Sequence, residues 1–191
     1  DIWLETQPMG GEMYAKRNPD VAINNQLLFL EYQREDGRFP GLVSCKDGGL
    51  EPRFTHLQGY SLPFPALNLY YLLGLGRDYL ELLYEKLEKF DAYLWRVRDS
   101  DGDGCLETWC VWDTGEDECS RFLDAPNEWP SDTPPTGYKT VPIESMNYMS
   151  FSYDGRRTLS EISALLGNGK QEYWANKAEQ VRAKIRSYLW R

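Results

Sequence analysis

The sequence predicts an all-α fold of antiparallel helix pairs. Three observations carry this reading. Five stretches repeat apolar residues at helical spacing, no strand-helix alternation appears, and Gly or Pro breaks the pattern between neighbouring stretches. The exception is residues 99–145, rich in Gly, Pro and Asp with little helical pattern. A loop of that length inside a compact domain is uncommon unless it is functional, so the chemistry is expected there. The 191 residues fit one domain with room for a substantial core.

Residues 1–17 contain Trp3, Glu5, Gln7, Gly10, Gly11 and Tyr14 without a sustained period, and read as a loop carrying polar and aromatic groups. Asn18 suits an N-cap and Pro19 a first helical position, which predicts a helix over 19–34 until Gly37 and Pro40 break it. Residues 41–62 read as irregular. A second helix follows Pro63, over 64–74. The third is the clearest, with Leu83, Leu87, Phe90 and Leu94 repeating at four, three and four residues. Within 99–145, short strands are expected around Glu107–Trp112. The last two helices, 146–166 and 171–190, flank a Gly167 stop and form an αα-hairpin. Trp95, Trp174 and Trp190 lie on helices and are expected in the core, and Trp129 as a loop anchor.

Composition excludes several functions. A net charge of -9 leaves no cationic stripe for nucleic acid. No apolar run approaches the ~20 residues that span a bilayer. The chain begins with Asp1 and shows no signal peptide, so its start does not define a compartment; a cytoplasmic location is the expectation. Cys45, Cys105, Cys110 and Cys119 form no C-x-x-C pair, and His56 is the only histidine. A zinc site is therefore not expected, the cysteines read as free thiols, and no nucleophile motif surrounds His56. Asp99-Ser-Asp-Gly-Asp-Gly104 has the opening of a calcium loop, but Cys110 stands where the bidentate Glu belongs, so it reads as an Asp/Gly turn ending a helix. No metal or cofactor is expected. Aromatic residues reach 14%, enough both to fill a core and to line a sugar-binding surface.

Residues 112–121, WDTGEDECSR, group carboxylates and a guanidinium beside a tryptophan. A carboxyl shielded by Trp112 and crowded by other acids has its pKa raised, as protonation of a leaving glycosidic oxygen requires. A solvated acidic loop is the competing reading from composition. The motif resembles the W-D/E-S-G-x-D-x-S-x-R signature of the (α/α)6-barrel glycosidases of glycoside hydrolase families 63 and 37, the mannosylglycerate hydrolase-like and trehalase-like enzymes. The order of other motifs is similar too: W-x-E-T-Q at the start, Q-R-E-D-G-R-F-P-G at 33–41, Q-G-Y-S-L-P-F at 58–64, R-D-S-D-G-D-G at 98–104 and I-E-S-M-N-Y at 143–148. Glu116 and Cys119 depart from the pattern, where Met or Trp and Ser are usual.

The resemblance implies that residues 1–191 are one partial six-hairpin toroid domain, the N-terminal half of a catalytic domain. It implies an inverting hydrolase of α-linked gluco- or manno-configured sugars, in which Asp117 is the general acid. Trp3, Glu5, Tyr14, Trp112, Asp113, Arg121 and Asn147 are the implied substrate-binding residues, with Asp113 also positioning the loop. The family's basic glutamate falls beyond Arg191, so this chain is expected to hold only the acid half of the site. Self-association through the exposed edge of a half barrel is a further expectation. The alternative is a non-catalytic helical domain that binds carbohydrate or another protein.

Overall fold

The computed structural model describes residues 1–58, 60–116 and 119–190. Among them are six α-helices: α1 (Gln7–Tyr14), α2 (Pro19–Glu31), α3 (Pro63–Leu73), α4 (Arg77–Val97), α5 (Met146–Leu166) and α6 (Gln171–Lys184), the last running into a π-helical turn at Ile185–Leu189. Five short strands accompany them: β1 (Ile2–Trp3), β2 (Leu42–Lys46), β3 (Gly49–Arg53), β4 (Glu107–Thr108) and β5 (Ile143–Glu144). The molecule is mostly helical but not all-α.

The helix ends follow their local chemistry. Asn18 accepts a hydrogen bond from the Val21 N–H and Pro19 fixes the first φ of α2. Ser145 does the same for α5 through the Tyr148 N–H. Gly74 and Gly167 end α3 and α5 in the left-handed region, each at φ 64°. Along α4, Leu83, Leu87, Phe90 and Leu94 form the buried stripe that the spacing predicts, and Leu80 extends it toward the start of the helix.

Two elements depart from expectation. Residues 7–14 are helical, not a loop, with Pro8 in the first turn and Gly11 against α2, where a Cβ would meet the Ala22 carbonyl oxygen at 2.9 Å. Residues 42–53 are a β-hairpin, not irregular chain. Lys46 pairs with Gly49 across a two-residue Asp47-Gly48 turn in which both φ angles are positive, the type I′ geometry that matches strand twist. β1 adds to its other edge, giving an antiparallel order β1-β2-β3.

α5 packs against α3, α4 and α6 and is buried on several faces. Trp95 on α4 donates its indole N–H to Ser152 on α5 at 3.0 Å, and Arg156 pairs with Asp91 at 2.7 Å. One continuous core runs from Leu4 through Phe39, Leu62, Phe90, Trp109 and Tyr148 to Val181. Trp174 belongs to it, whereas Trp190 is 74% exposed, contrary to expectation, because α6 gives way to the π-helical turn and Trp190 falls just beyond it. No described helix is long and apolar enough to cross a membrane.

The 99–145 segment is closed at its base by β4 and β5, which pair Glu107 with Glu144 and Thr108 with Ile143. It is tied down further out as well. Asp132 accepts from Arg34 at 2.6 Å, from the fully buried Arg38 at 2.9 Å and from the Tyr93 hydroxyl at 2.6 Å. Trp129 anchors the loop, its backbone N–H donating to the Thr55 carbonyl at 2.6 Å and its indole N–H to the Thr133 carbonyl at 2.7 Å.

Candidate active site

β1 pairs with β2, and the Leu4 N–H donates to the Gly41 carbonyl at 3.0 Å, so Leu4 is buried while its neighbours Trp3 and Glu5 are left partly open. Together with Thr6, Gln58 and Trp112 they line an open cavity of about 380 Å³. Gln58 sits at φ 54°, a region a side-chain-bearing residue rarely adopts, and its amide donates to Glu5 Oε2 at 2.6 Å. Ser61 holds the Glu5 carbonyl at 2.7 Å. Two indoles and a fixed carboxylate thus face one another across a cavity of mixed polarity.

Gly115 brings the acidic loop to this cavity. Its φ is 73°, and a Cβ there would lie 2.5 Å from Glu5 Oε1. Only glycine permits both the backbone angle and the approach. Asp117, two residues further on, lies outside the described residues.

The preceding residue pair is anchored below the surface. The Val111 and Trp112 N–H groups donate to the Pro126 and Asn127 carbonyls at 2.9 and 3.2 Å. Asp113 is fully buried and accepts from both terminal nitrogens of Arg98, from the Leu57 N–H at 2.9 Å and from the Trp109 N–H at 2.8 Å. Burial alone would raise its pKa; the Arg98 charge and these hydrogen bonds outweigh burial and hold the carboxyl below the usual carboxylate range. Arg98 lies 4.2 Å over the Trp109 ring and has its own pKa raised, burial notwithstanding, by the Asp113 charge. Tyr148 donates its hydroxyl to the Asp113 carbonyl. Asp113 is therefore not a substrate contact: every direction from its carboxylate is filled by protein, and its work is to fix the loop.

Arg121 and Asn147 are brought together by Glu116, which pairs with Arg121 through one oxygen and accepts from Asn147 at 2.9 Å through the other. Neither lines the cavity with Trp3 and Glu5. Tyr14 does not reach it either. The helicity of residues 7–14 carries it about two turns from Glu5, to an exposed position at the end of α1.

Thr6 and Gln58 were not singled out from the sequence, and His56 was noted there only as the lone histidine. Gln58 opens the Q-G-Y-S-L-P-F motif, which was the available signal. His56 is buried behind the cavity, its ring 6.1 Å from Trp3 in a stacked arrangement and 5.9 Å from Trp112 edge-on. Away from this site, one carboxylate oxygen each of Asp99, Asp101 and Asp103 lie within 4.8 Å of one another. Each of these side chains already accepts a backbone N–H, from Gly104, Asp103 and Cys105, and Lys184 Nζ lies 3.6 Å from Asp103, which is the arrangement of a self-satisfied turn. The four cysteines are free thiols.

A family model for the mannosylglycerate hydrolase MGH1-like glycoside hydrolase domain matches residues 13–191. The chain belongs to this family. The MGH1-like domain also shares its fold with solved structures. It matches the GH63 mannosylglycerate hydrolase of Thermus thermophilus in complex with Tris at 16% identity and a TM-score of 0.67, covering 97% of this chain and 58% of that one. Against the same enzyme with Tris and D-glycerate the values are 17%, 0.64, 95% and 58%. An uncharacterized conserved protein of the same organism matches at 15% and 0.69, with 97% and 55% covered. No curated protein sequence matches the chain. The chain thus spans somewhat over half the length of these structures. Trp3, Glu5 and Thr6 precede the residues matched by the family model, so their place in the site rests on the structure.

Proposed function

We propose that residues 1–191 carry the acid half of an inverting glycoside hydrolase site for α-linked gluco- or manno-configured sugars. Asp117 protonates the leaving glycosidic oxygen, and Trp3 and Trp112 stack on the sugar. Glu5, held by Gln58, accepts from its hydroxyls. The observation that supports the reading is the close approach of Gly115, two residues before Asp117 in the chain, to Glu5 in a cavity lined by two indoles. A stacking wall, a fixed acceptor and an adjacent acid are what a pyranoside undergoing protonation at its exocyclic oxygen requires.

Inversion also needs a second carboxylate, roughly 6.5–9.5 Å from the acid, to activate water. The proposal assigns it to the part of the family domain that this chain does not span. Glu116 joins Arg121 to Asn147, linking the loop that carries the acid to the start of α5. Four free thiols suit a reducing compartment, and the proposal includes a cytoplasmic setting.

The test is Asp117→Asn in the complete gene product. Loss of hydrolysis by about 10²–10⁴-fold, with an unchanged thermal transition, supports the assignment; near-normal turnover refutes it. A second reading, a non-catalytic carbohydrate-binding or protein-interaction domain, is favoured by one observation: both carboxylate oxygens of Glu116 are taken up by the protein's own Arg121 and Asn147. Calorimetry with a panel of disaccharides separates the two non-catalytic roles, since only a carbohydrate binder releases heat.

A further inference from the structure

We propose that His56 is a positioning residue for the two indole walls: its ring fixes the orientation of Trp3 and Trp112, and Glu128 fixes the ring through Thr55. The proposal rests on the sugar-cavity reading only in what the walls are for. His56 is 1% exposed, so it touches no ligand and acts through the rings it packs against. It stacks on Trp3 with an interplanar angle of 26° and meets Trp112 at 78°. A rotation of the imidazole about its Cβ–Cγ bond would disturb both contacts at once.

The polar contacts determine which way the ring is held. Thr55 Oγ1 lies 3.1 Å from Glu128 Oε1 and 3.0 Å from His56 Nδ1. A hydroxyl has one proton, and an ionised carboxylate can only accept. The Thr55 proton therefore goes to Glu128, and the Thr55 oxygen accepts from His56, which places the ring proton on Nδ1. Nε2 is left as a bare lone pair, buried and without a hydrogen-bond partner among the described residues. A phenylalanine would fill the same space with no orphaned nitrogen. What a histidine adds is the directional bond at Nδ1, which locks the ring plane.

The backbone around it is clamped on both sides. The Thr55 carbonyl accepts from Trp129 and the Leu57 N–H donates to Asp113, so residues 55 and 57 are each tied to the 99–145 segment. Gly41 passes against the ring, where a Cβ would lie 2.6 Å from the His56 carbonyl oxygen and 3.1 Å from its Cδ2. Burial is the largest influence on the ring's charge and lowers its pKa. Arg38 acts in the same direction, while Asp113, Glu128 and Gln58 oppose them. The ring is thus neutral at neutral pH, as a tautomer assignment needs.

His56 is the only histidine, so ¹⁵N-histidine labelling of the 191-residue protein gives one set of ring signals. In the wild type, long-range ¹H–¹⁵N correlations at pH 7.5 are expected to show a protonated Nδ1 and an unprotonated Nε2. Glu128→Ala, an exposed substitution, frees the Thr55 proton to turn toward Nδ1. The expected result is a shift toward the Nε2–H tautomer, together with displaced indole N–H signals for Trp3 and Trp112 but not for Trp190. Thr55→Val removes the lock and Thr55→Ser restores it. An Nε2–H tautomer in the wild type, or unmoved Trp3 and Trp112 signals in Glu128→Ala and Thr55→Val, overturns the proposal. Titration of the complete gene product, wild type and Glu128→Ala, with methyl α-D-glucopyranoside and methyl α-D-mannopyranoside reads the sugar assignment separately. If the wild type binds one of them, Glu128→Ala is expected to bind it about tenfold more weakly, and equal affinity in the two proteins overturns the positioning role. If neither sugar binds while the tautomer and indole shifts occur, the positioning role stands and the sugar assignment fails.

Discussion

Asp113 and Gly115 are two residues apart and serve the site in opposite ways. Asp113 is a charge kept wholly inside the protein, tolerated because Arg98 and two backbone N–H groups meet it there. Asp113→Asn keeps the shape and leaves the Arg98 guanidinium buried without a counter-charge. A loss of about 3–5 kcal/mol is expected, read from urea unfolding. Because the folded-state pKa of Asp113 is lowered, its contribution is present above the ordinary carboxylate value and is lost as pH falls through that lowered value. The difference between wild type and Asp113→Asn should accordingly shrink below about pH 3.9. Gly115 is required by space. Gly115→Ala should weaken glycoside binding by pushing the Glu5 carboxylate aside. Combining it with Glu5→Ala should recover part of the stability lost, since the contact disappears while the strain at φ 73° remains. Fully additive effects in chemical unfolding would exclude the contact.

At the level of elements, what could be read from the sequence was what repeats. The α4 stripe and the Asn18-Pro19 start of α2 each have a local physical cause, and both stand where spacing and capping place them. α1 was invisible because Gln7–Tyr14 contains two glycines and a proline and has little apolar periodicity; it is held by tertiary contacts such as the Gln26 amide donating to the Pro8 carbonyl at 2.7 Å. The β2–β3 hairpin carried a readable signal, the Asp47-Gly48 turn, but its strands are largely exposed and lack alternation. The candidate site divides in the same way. Trp3, Glu5 and Trp112 were legible as chemical types beside a motif. The burial of Asp113 and the diversion of Arg121 and Asn147 onto Glu116 depend on which atoms meet in three dimensions, which a motif does not encode.

For the whole molecule, charge and exposed apolar surface act against each other. Phe64, Tyr71 and Leu72 on α3 and Leu165 near the end of α5 are all at least 40% exposed, and Tyr71 bonds Glu161 across these two helices. A net charge of -9 opposes association at low salt. Analytical ultracentrifugation should therefore show reversible self-association that strengthens as salt screens the repulsion; a monomer at every concentration and ionic strength would refute this. The closure of the 99–145 segment by β4 and β5 has a different consequence. Its chain leaves and re-enters the helical frame at neighbouring points, yet it is fastened to that frame throughout: Arg98 and Leu57 meet Asp113, Arg34, Arg38 and Tyr93 meet Asp132, Thr55 meets Trp129 and Glu128, and Trp109 is buried in the core. Such a segment is a keystone: cutting it out would strip the counter-charges from Arg38 and Arg98 and open the core at Trp109, so its anchors and the helices beneath it stand or fall together.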